Sequence, residues 1–281
     1  MNTACESEFW DMVDGIIVIN LDERTDRLEM LLAHVSPHLD TTKIHRLSAK
    51  RGTLIPGYGK PPLFRGRPRD KTWAARGGCT LSHRAAIEYA RNAGWNTTLI
   101  LEDDIELSPD FDRQLPALAT ALRNMRWDVC YLGYTDPVAP FRTVATLEDE
   151  STLQQVYGCN AAHAYMITAH VYDWLLAELP TPDHLWTWLT RHRAVDRWYK
   201  RTLSKRFDVI AVSPSIINQR AGYSDIVHRD TGNENSYRTK VTDKAFNRYT
   251  YPLARFIRQG IFAYAGLWDY LRGLYKRVNG F

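Results

Sequence analysis

Cysteine is scarce in this chain of 281 residues. The four cysteines, Cys5, Cys79, Cys130 and Cys159, are widely spread and none belongs to a C-x-x-C pair. That spacing offers neither a zinc site nor a disulfide framework, and a reducing cytosol suits such a chain best. No apolar run reaches about 18 residues, so a standard membrane-spanning helix is not expected. The first fifteen residues are acidic and lack an apolar stretch, which predicts no secretory leader. Internal repeats, a phosphate-binding Walker loop and a G-x-S-x-G elbow are all missing, which removes the commonest nucleotide-hydrolase and serine-hydrolase signatures. Net charge is small, +4, with 44% hydrophobic and 24% charged residues. That balance describes a globular protein of one large or two small domains, not a disordered chain or a coiled coil. The excess charge sits at one end. Residues 245–281 hold six basic residues and one acid, which leaves residues 1–244 close to neutral. A near-neutral body excludes nucleic-acid binding as the main role.

What is present reads as an α/β fold. Gly15 to Leu21 is a short, β-branched apolar run that suits a strand buried on both faces. A polar turn follows, then Leu28, Leu31, Leu32 and Val35 at helical spacing, and Ile44 to Ala49 forms a second short strand. Strand, helix, strand is the βαβ pattern. Further buried strands are expected at Thr97 to Leu101, Trp127 to Gly133 and Val209 to Val212, with strands also within Tyr157 to Ile167. Helices are expected after Gly77-Gly78 to Gly94, over Pro109 to Met125, over Ala169 to Leu179, and around Val195 to Trp198. Residues 50–76 carry eight basic residues against Asp70 alone, with four prolines and four glycines. They read as a long basic loop, either a lid that approaches phosphate or a solvated segment. Residues 137–152 read as irregular and residues 218–244 as a polar lid or linker.

The sharpest chemical signal is Glu102-Asp103-Asp104 at the end of an apolar strand. Ligands of open α/β sheets bind beyond the carboxyl ends of the strands. In extended chain, residues 102 and 104 face one way and 103 the other. Two carboxylates on one side suit a hard cation such as Mg²⁺ or Mn²⁺. The same acids also suit a solvated strand-end turn. Asn20 and Asp22 end the first strand, and Arg24 and Arg27 follow, either as phosphate or base contacts or as ordinary helix-start charges. His83 lies beside the two glycines, where it serves a phosphate or simply a backbone group. Cys79 reads as a small buried residue.

Taken in order, INLDERTDR at 19–27, GCTLSH at 78–83, LEDDI at 101–105, WDVCYLG at 127–133, AYMIT at 164–168, VD at 195–196 and QRAGYSDI at 219–226 resemble glycosyltransferase family 25. That family includes bacterial lipooligosaccharide and collagen hydroxylysine galactosyltransferases. The resemblance covers about residues 14–228. It implies a GT-A-type, Rossmann-like, mostly parallel sheet flanked by helices, a UDP-sugar donor with galactose as the expected sugar, and inversion at the anomeric carbon. It makes Glu102-Asp103-Asp104 the variant DxD motif, with Asp104 and Glu102 as metal ligands and Glu102 or Asp103 near the ribose or donor sugar. It puts Asn20, Asp22, Arg24 and Arg27 at the uridine and His83 at the diphosphate. The resemblance implies Mn²⁺ or Mg²⁺ as the metal, with His228 as the candidate third ligand. An inverting transfer needs a base opposite the leaving group. Asp196, in a stretch rich in tryptophan and tyrosine, fills that role, with Asp225 in reserve. A metal-dependent phosphoesterase and a non-catalytic membrane-associated scaffold are the alternative readings.

Residues 1–244 are expected to form the catalytic domain and 245–281 a basic amphipathic helical tail. Leu253, Ile257, Ile261, Tyr264, Trp268, Leu271, Tyr275 and Val278 share one helical face, with Arg255, Arg258, Arg272, Lys276 and Arg277 on the other side. That pattern predicts a peripheral anchor on an anionic membrane surface, a helix docked on the domain, or a dimer contact. The acceptor is then a glycan or a lipid-linked glycan of surface polysaccharide or lipopolysaccharide synthesis, at the cytoplasmic face of a membrane.

Overall fold

Consecutive apolar residues at Gly15–Asn20 form β1, and all six are buried. Ile16 and Val18 enter one core while Ile17 and Ile19 enter the other, as a strand covered on both faces requires. The structure, a computed structural model, describes residues 8–147, 151–224, 229–231, 241 and 245–281. After β1 come α1 (Thr25–Val35) and β2 (Ile44–Ser48), then α2 (Arg69–Asn92), β3 (Thr97–Glu102), β4 (Ile105–Leu107) and α3 (Phe111–Arg123). The chain continues through β5 (Val129–Val138), β6 (Arg142–Thr146), β7 (Thr152–Gln155), β8 (Gly158–Thr168) and α4 (Tyr172–Glu178). It closes with α5 (Leu185–His192), α6 (Val195–Thr202), β9 (Val209–Ser213), β10 (Ile217–Gln219), two short paired strands and α7 (Tyr251–Asn279).

Eight strands form one sheet in the order β2-β1-β3-β8-β5-β9-β7-β6. Six run in one direction, and β7 and β8 run against them. Helices α1 and α3 cover one face through Leu31, Val35, Phe111 and Leu115. Helices α2, α4 and α6 cover the other through Ile87, Leu175 and Trp198. The parallel strands β1, β2 and β3 therefore end together at one edge.

Three segments differ from their sequence pattern. Helix α2 starts at Arg69, inside the stretch read as a basic loop. Trp73 and Ala74 are buried there, and the Asp70 carboxylate accepts the backbone N–H groups of Arg65 and Arg67 at 2.9 and 3.0 Å. Residues 137–152, read as irregular, contain the end of β5 and β6, the strand at one edge of the sheet. Within 218–244, β10 pairs with β4 through Gln219 and Ile105.

The tail is one continuous helix of 29 residues. It docks through its polar side. Asp269 pairs with Arg201 and Arg272, and Arg255 donates to the carbonyl oxygens of Ser204 and Phe207. Gly273 lies against Thr190 and Arg191 of α5. The end of the tail is latched by Phe281, which stacks on Trp73 at 4.3 Å and packs against Phe64. Arg67 holds the Phe281 carbonyl at 3.0 Å. The apolar face points outward, from 63% exposure at Leu253 to 68% at Val278. No helix among the described residues is long and apolar enough to cross a membrane.

Candidate active site

The ends of β1, β2 and β3 open into a cleft of about 400 Å³. Leu21 and Glu23 follow β1, Ala49, Lys50 and Arg51 follow β2, and Glu102, Asp103 and Asp104 end β3. The far wall is α2, which contributes Lys71, Ala75, Cys79, Ser82 and His83.

The three acids have different neighbours. Asp103 turns toward β1, where the Asn20 amide donates to it at 2.8 Å and Arg27 at 3.1 Å. Glu102 and Asp104 share the other side, each within reach of the Gln219 amide at 3.4 and 3.5 Å. His83 sits between Glu102 Oε1 at 3.2 Å and the Tyr165 hydroxyl at 3.0 Å. Burial works to raise the pKa of Glu102, but the hydrogen bond and charge of His83, with the charges of His163 and Arg27, outweigh it and Glu102 is held below its ordinary value. Burial raises Asp103 despite its bonds to Asn20 and Arg27. Asp104 is pushed up to about 7, first by burial and then by the charges of Glu102 and Asp103.

That electrostatic crowding fits a divalent cation. Among the described residues the Asp104 carboxylate has the long Gln219 contact and Arg27 at 4.0 Å, and it is 27% exposed. An oxygen ligand with spare lone pairs beside a second carboxylate is what Mg²⁺ or Mn²⁺ takes. Cys79, His83 and Glu102 also bring ligand atoms within 4.8 Å of one another. This trio fits a cation less well. Burial and the charges of Glu102, Asp196 and Asp104 push the Cys79 thiol up, so it stays protonated, whereas a thiol binds metal as thiolate. Both ring nitrogens of His83 are already engaged.

Arg27, His83, Glu102, Asp103 and Asp104 thus line one cleft, and Asn20 supports it from beneath. Asp22 faces a neighbouring hollow and is held by Arg46 and by Ser48 at 2.7 Å. Arg24 is not among the residues that line the cleft, and it pairs with Asp26 at 3.0 Å. Asp196, in the first turn of α6, does not line the cleft, although its charge reaches Cys79 on the cleft wall. It accepts the Ala161 N–H at 3.3 Å, and Ala161 has a φ of +60°. Asp225 and His228 lie outside the described residues. Sequence reasoning did not single out Gln219, which β10 delivers to the acids; Lys50, Arg51 and Lys71 on the wall belong to the basic stretch read as either a phosphate-approaching lid or a solvated segment.

Gly78 sets the approach of α2 to this wall. A Cβ there would lie 2.2 Å from the Lys50 carbonyl oxygen and 2.9 Å from the Gly52 nitrogen. Gly78→Ala is expected to lower stability by about 1–3 kcal/mol through overpacking. Gly260→Ala, with open space around it, should be neutral or better, since alanine favours a helix by up to about 1 kcal/mol. Urea midpoints compare the two; equal midpoints would contradict the close packing at Gly78.

The mixed sheet, its flanking helices and the acids at the end of β3 define an α/β protein with a strand-end cleft. The sequence profile described as "Glycosyltransferase family 25 (LPS biosynthesis protein)" matches residues 13–176. The chain belongs to glycosyltransferase family 25. It is 28% identical over 136 residues to procollagen galactosyltransferase 1 of Danio rerio, covering 43% of this chain and 21% of that protein. It is 27% identical over 137 residues to procollagen galactosyltransferase 2 of Homo sapiens, covering 43% and 20%. The match therefore spans about a fifth of the length of these relatives. Among solved structures, a glycosyltransferase involved in the glycosylation of the major capsid of PBCV-1 superposes with a TM-score of 0.39 at 9% identity. That superposition covers 76% of this chain and 95% of that one.

Proposed function

We propose that the protein transfers a sugar, with galactose the first choice, from a UDP-sugar to a hydroxyl of a glycan or lipid-linked acceptor, with inversion. The work belongs to surface polysaccharide or lipopolysaccharide synthesis at the inner face of a membrane. One observation carries the reading: three acids on the floor of a strand-end cleft face Arg27, Lys50, Arg51 and Lys71. A diphosphate bridged by a cation needs that pairing of signs.

A divalent cation held by Asp104 with Glu102 beside it, and His228 as a further ligand, would offset charge on the diphosphate as it leaves. The chain's own residues do the rest. Arg27 and Asn20 fix Asp103 toward the ribose side. Asn20 and Arg27 form the uridine end, with Asp22 in the adjoining hollow and Arg24 beside it in the chain. Lys50, Arg51 and Lys71 are within the cleft to meet phosphate oxygens, and His83 holds Glu102 ionised. Asp196 takes the proton of the acceptor hydroxyl as its oxygen bonds to the anomeric carbon and the bond to the UDP oxygen breaks; Asp225 is the reserve base. Residues 1–244 carry this chemistry and 245–281 the attachment to the membrane surface, which the outward apolar face of α7 supports.

A panel of UDP-sugars tests the donor. UDP release dependent on Mn²⁺ should be fastest from UDP-galactose. Equal release from every sugar would remove the galactose assignment. No release from any of them, with or without acceptor glycans, would contradict the transferase reading.

A further inference from the structure

The Tyr251 end of α7, opposite the Phe281 latch, contains a further hollow of about 420 Å³. Arg142 of β6, Gln155 of β7, and Arg248, Tyr251, Arg255 and Phe256 at the start of α7 line it. Its arginines are held in place without being neutralised. Arg142 donates to the Gln155 side-chain oxygen at 3.0 Å and lies 5.7 Å from the centre of the Tyr251 ring. Arg248 lies over the Tyr249 ring and donates to its hydroxyl. Arg255 donates to the carbonyls of Ser204 and Phe207, and its buried Nε has no partner. Among the described residues none of the three pairs with a carboxylate. Asp208, whose charge reaches Tyr251, is engaged by Gln155 at 3.4 Å and Arg126 at 3.9 Å.

The hollow opens at the head of the apolar stripe. Tyr249, Leu253 and Phe256 are 74%, 63% and 71% exposed. From there the stripe runs through Ile261, Tyr264, Trp268 and Tyr275 for roughly 40 Å, at about 1.5 Å per residue. Arg277 is the one charged residue exposed along α7, and its single acid, Asp269, is buried and paired. A second copy meeting this stripe would bring no exposed acid from its own α7 to the three arginines. Anionic phosphate beside acyl chains satisfies both parts at once, and tyrosine and tryptophan suit the headgroup boundary.

We propose that Arg142, Arg248 and Arg255 form a headgroup cup for an anionic phospholipid, whose leaflet receives the apolar stripe of α7. The cup rests on the membrane reading given above and adds to it a defined phosphate site, a helix length from the Phe281 end. It also sets the orientation. With α7 flat on the leaflet, Phe281 and Trp73 hold the helix end against α2, the wall of the donor cleft.

The test is flotation of the full-length protein with vesicles of phosphatidylcholine alone or mixed with phosphatidylglycerol, at physiological ionic strength. Three proteins are compared: wild type, Arg142→Gln/Arg248→Gln, and Trp268→Ser/Leu271→Ser, each checked by circular dichroism. Arg255 is left intact because it also ties α7 to the domain. On phosphatidylglycerol vesicles the double arginine variant should lose roughly 30-fold in partition, about fivefold for each charge. On phosphatidylcholine alone it should match wild type. The stripe variant should lose binding on both. An arginine variant that binds phosphatidylglycerol as tightly as wild type would overturn the cup and leave the membrane reading standing. Wild type that floats with neither vesicle would overturn both, and a dimer in sedimentation would then assign the stripe to a second copy.

Discussion

Asp104→Asn is expected to weaken binding of UDP in the presence of Mn²⁺ by roughly 100-fold or more, the scale of losing a metal-site group. The expectation follows from how the three acids are shared out. Asp103 is committed to Asn20 and Arg27, and Glu102 to His83. Among the described residues Asp104 alone lacks a close cationic partner at hydrogen-bond distance, and burial with two like charges pushes it up to about 7. An arriving cation relieves that repulsion. The amide cannot do so, and it also removes the repulsion from the empty protein. The variant should therefore be as stable as wild type, or slightly more stable, in a urea titration. Loss of binding together with loss of fold would not bear on the metal; loss of binding with the fold kept would. Unchanged UDP affinity in the folded variant would remove Asp104 from the site.

The second large effect is expected at Asp196. Asp196→Asn should lower turnover by roughly 10²–10⁴, the usual range for a general base, while UDP affinity in the presence of Mn²⁺ changes less than about twofold. Its structural role makes the substitution informative. Asp196 accepts the N–H of Ala161, a non-glycine residue in the left-handed region, a conformation that costs roughly 1–2 kcal/mol. Asparagine can still accept that bond through its amide oxygen, so the left-handed conformation of Ala161 in β8 is retained. A loss of turnover then reports proton transfer. Turnover equal to wild type would leave Asp196 as a support for Ala161 and nothing more.

The parts of this account that were legible in the sequence are those that rest on short-range pattern. The apolar runs of β1 and β3, and the acids that follow β3, could be read directly because a strand buried on both faces has no polar alternation to obscure it. The start of α2 could not be read that way. Gly77 and Gly78 look like a loop, yet they sit inside the helix because a Cβ at Gly77 would meet Trp186 at 2.7 Å and one at Gly78 the Lys50 carbonyl. Those contacts are made by residues distant in sequence. The same holds for Gln219, which reaches Glu102 and Asp104 only because β10 pairs with β4. In α7 the periodicity showed two faces but not which one meets the domain. The basic face turned inward because backbone carbonyls at Ser204 and Phe207 receive Arg255, and Asp269 receives Arg201.

The central claim is that the strand-end cleft binds UDP through a cation held by the acids of β3. The most direct measurement is a calorimetric titration of UDP into the wild-type protein, with Mn²⁺ and with a chelator. The account predicts single-site binding that requires the metal. Binding of equal strength in the chelator, or no binding in either condition, would contradict it.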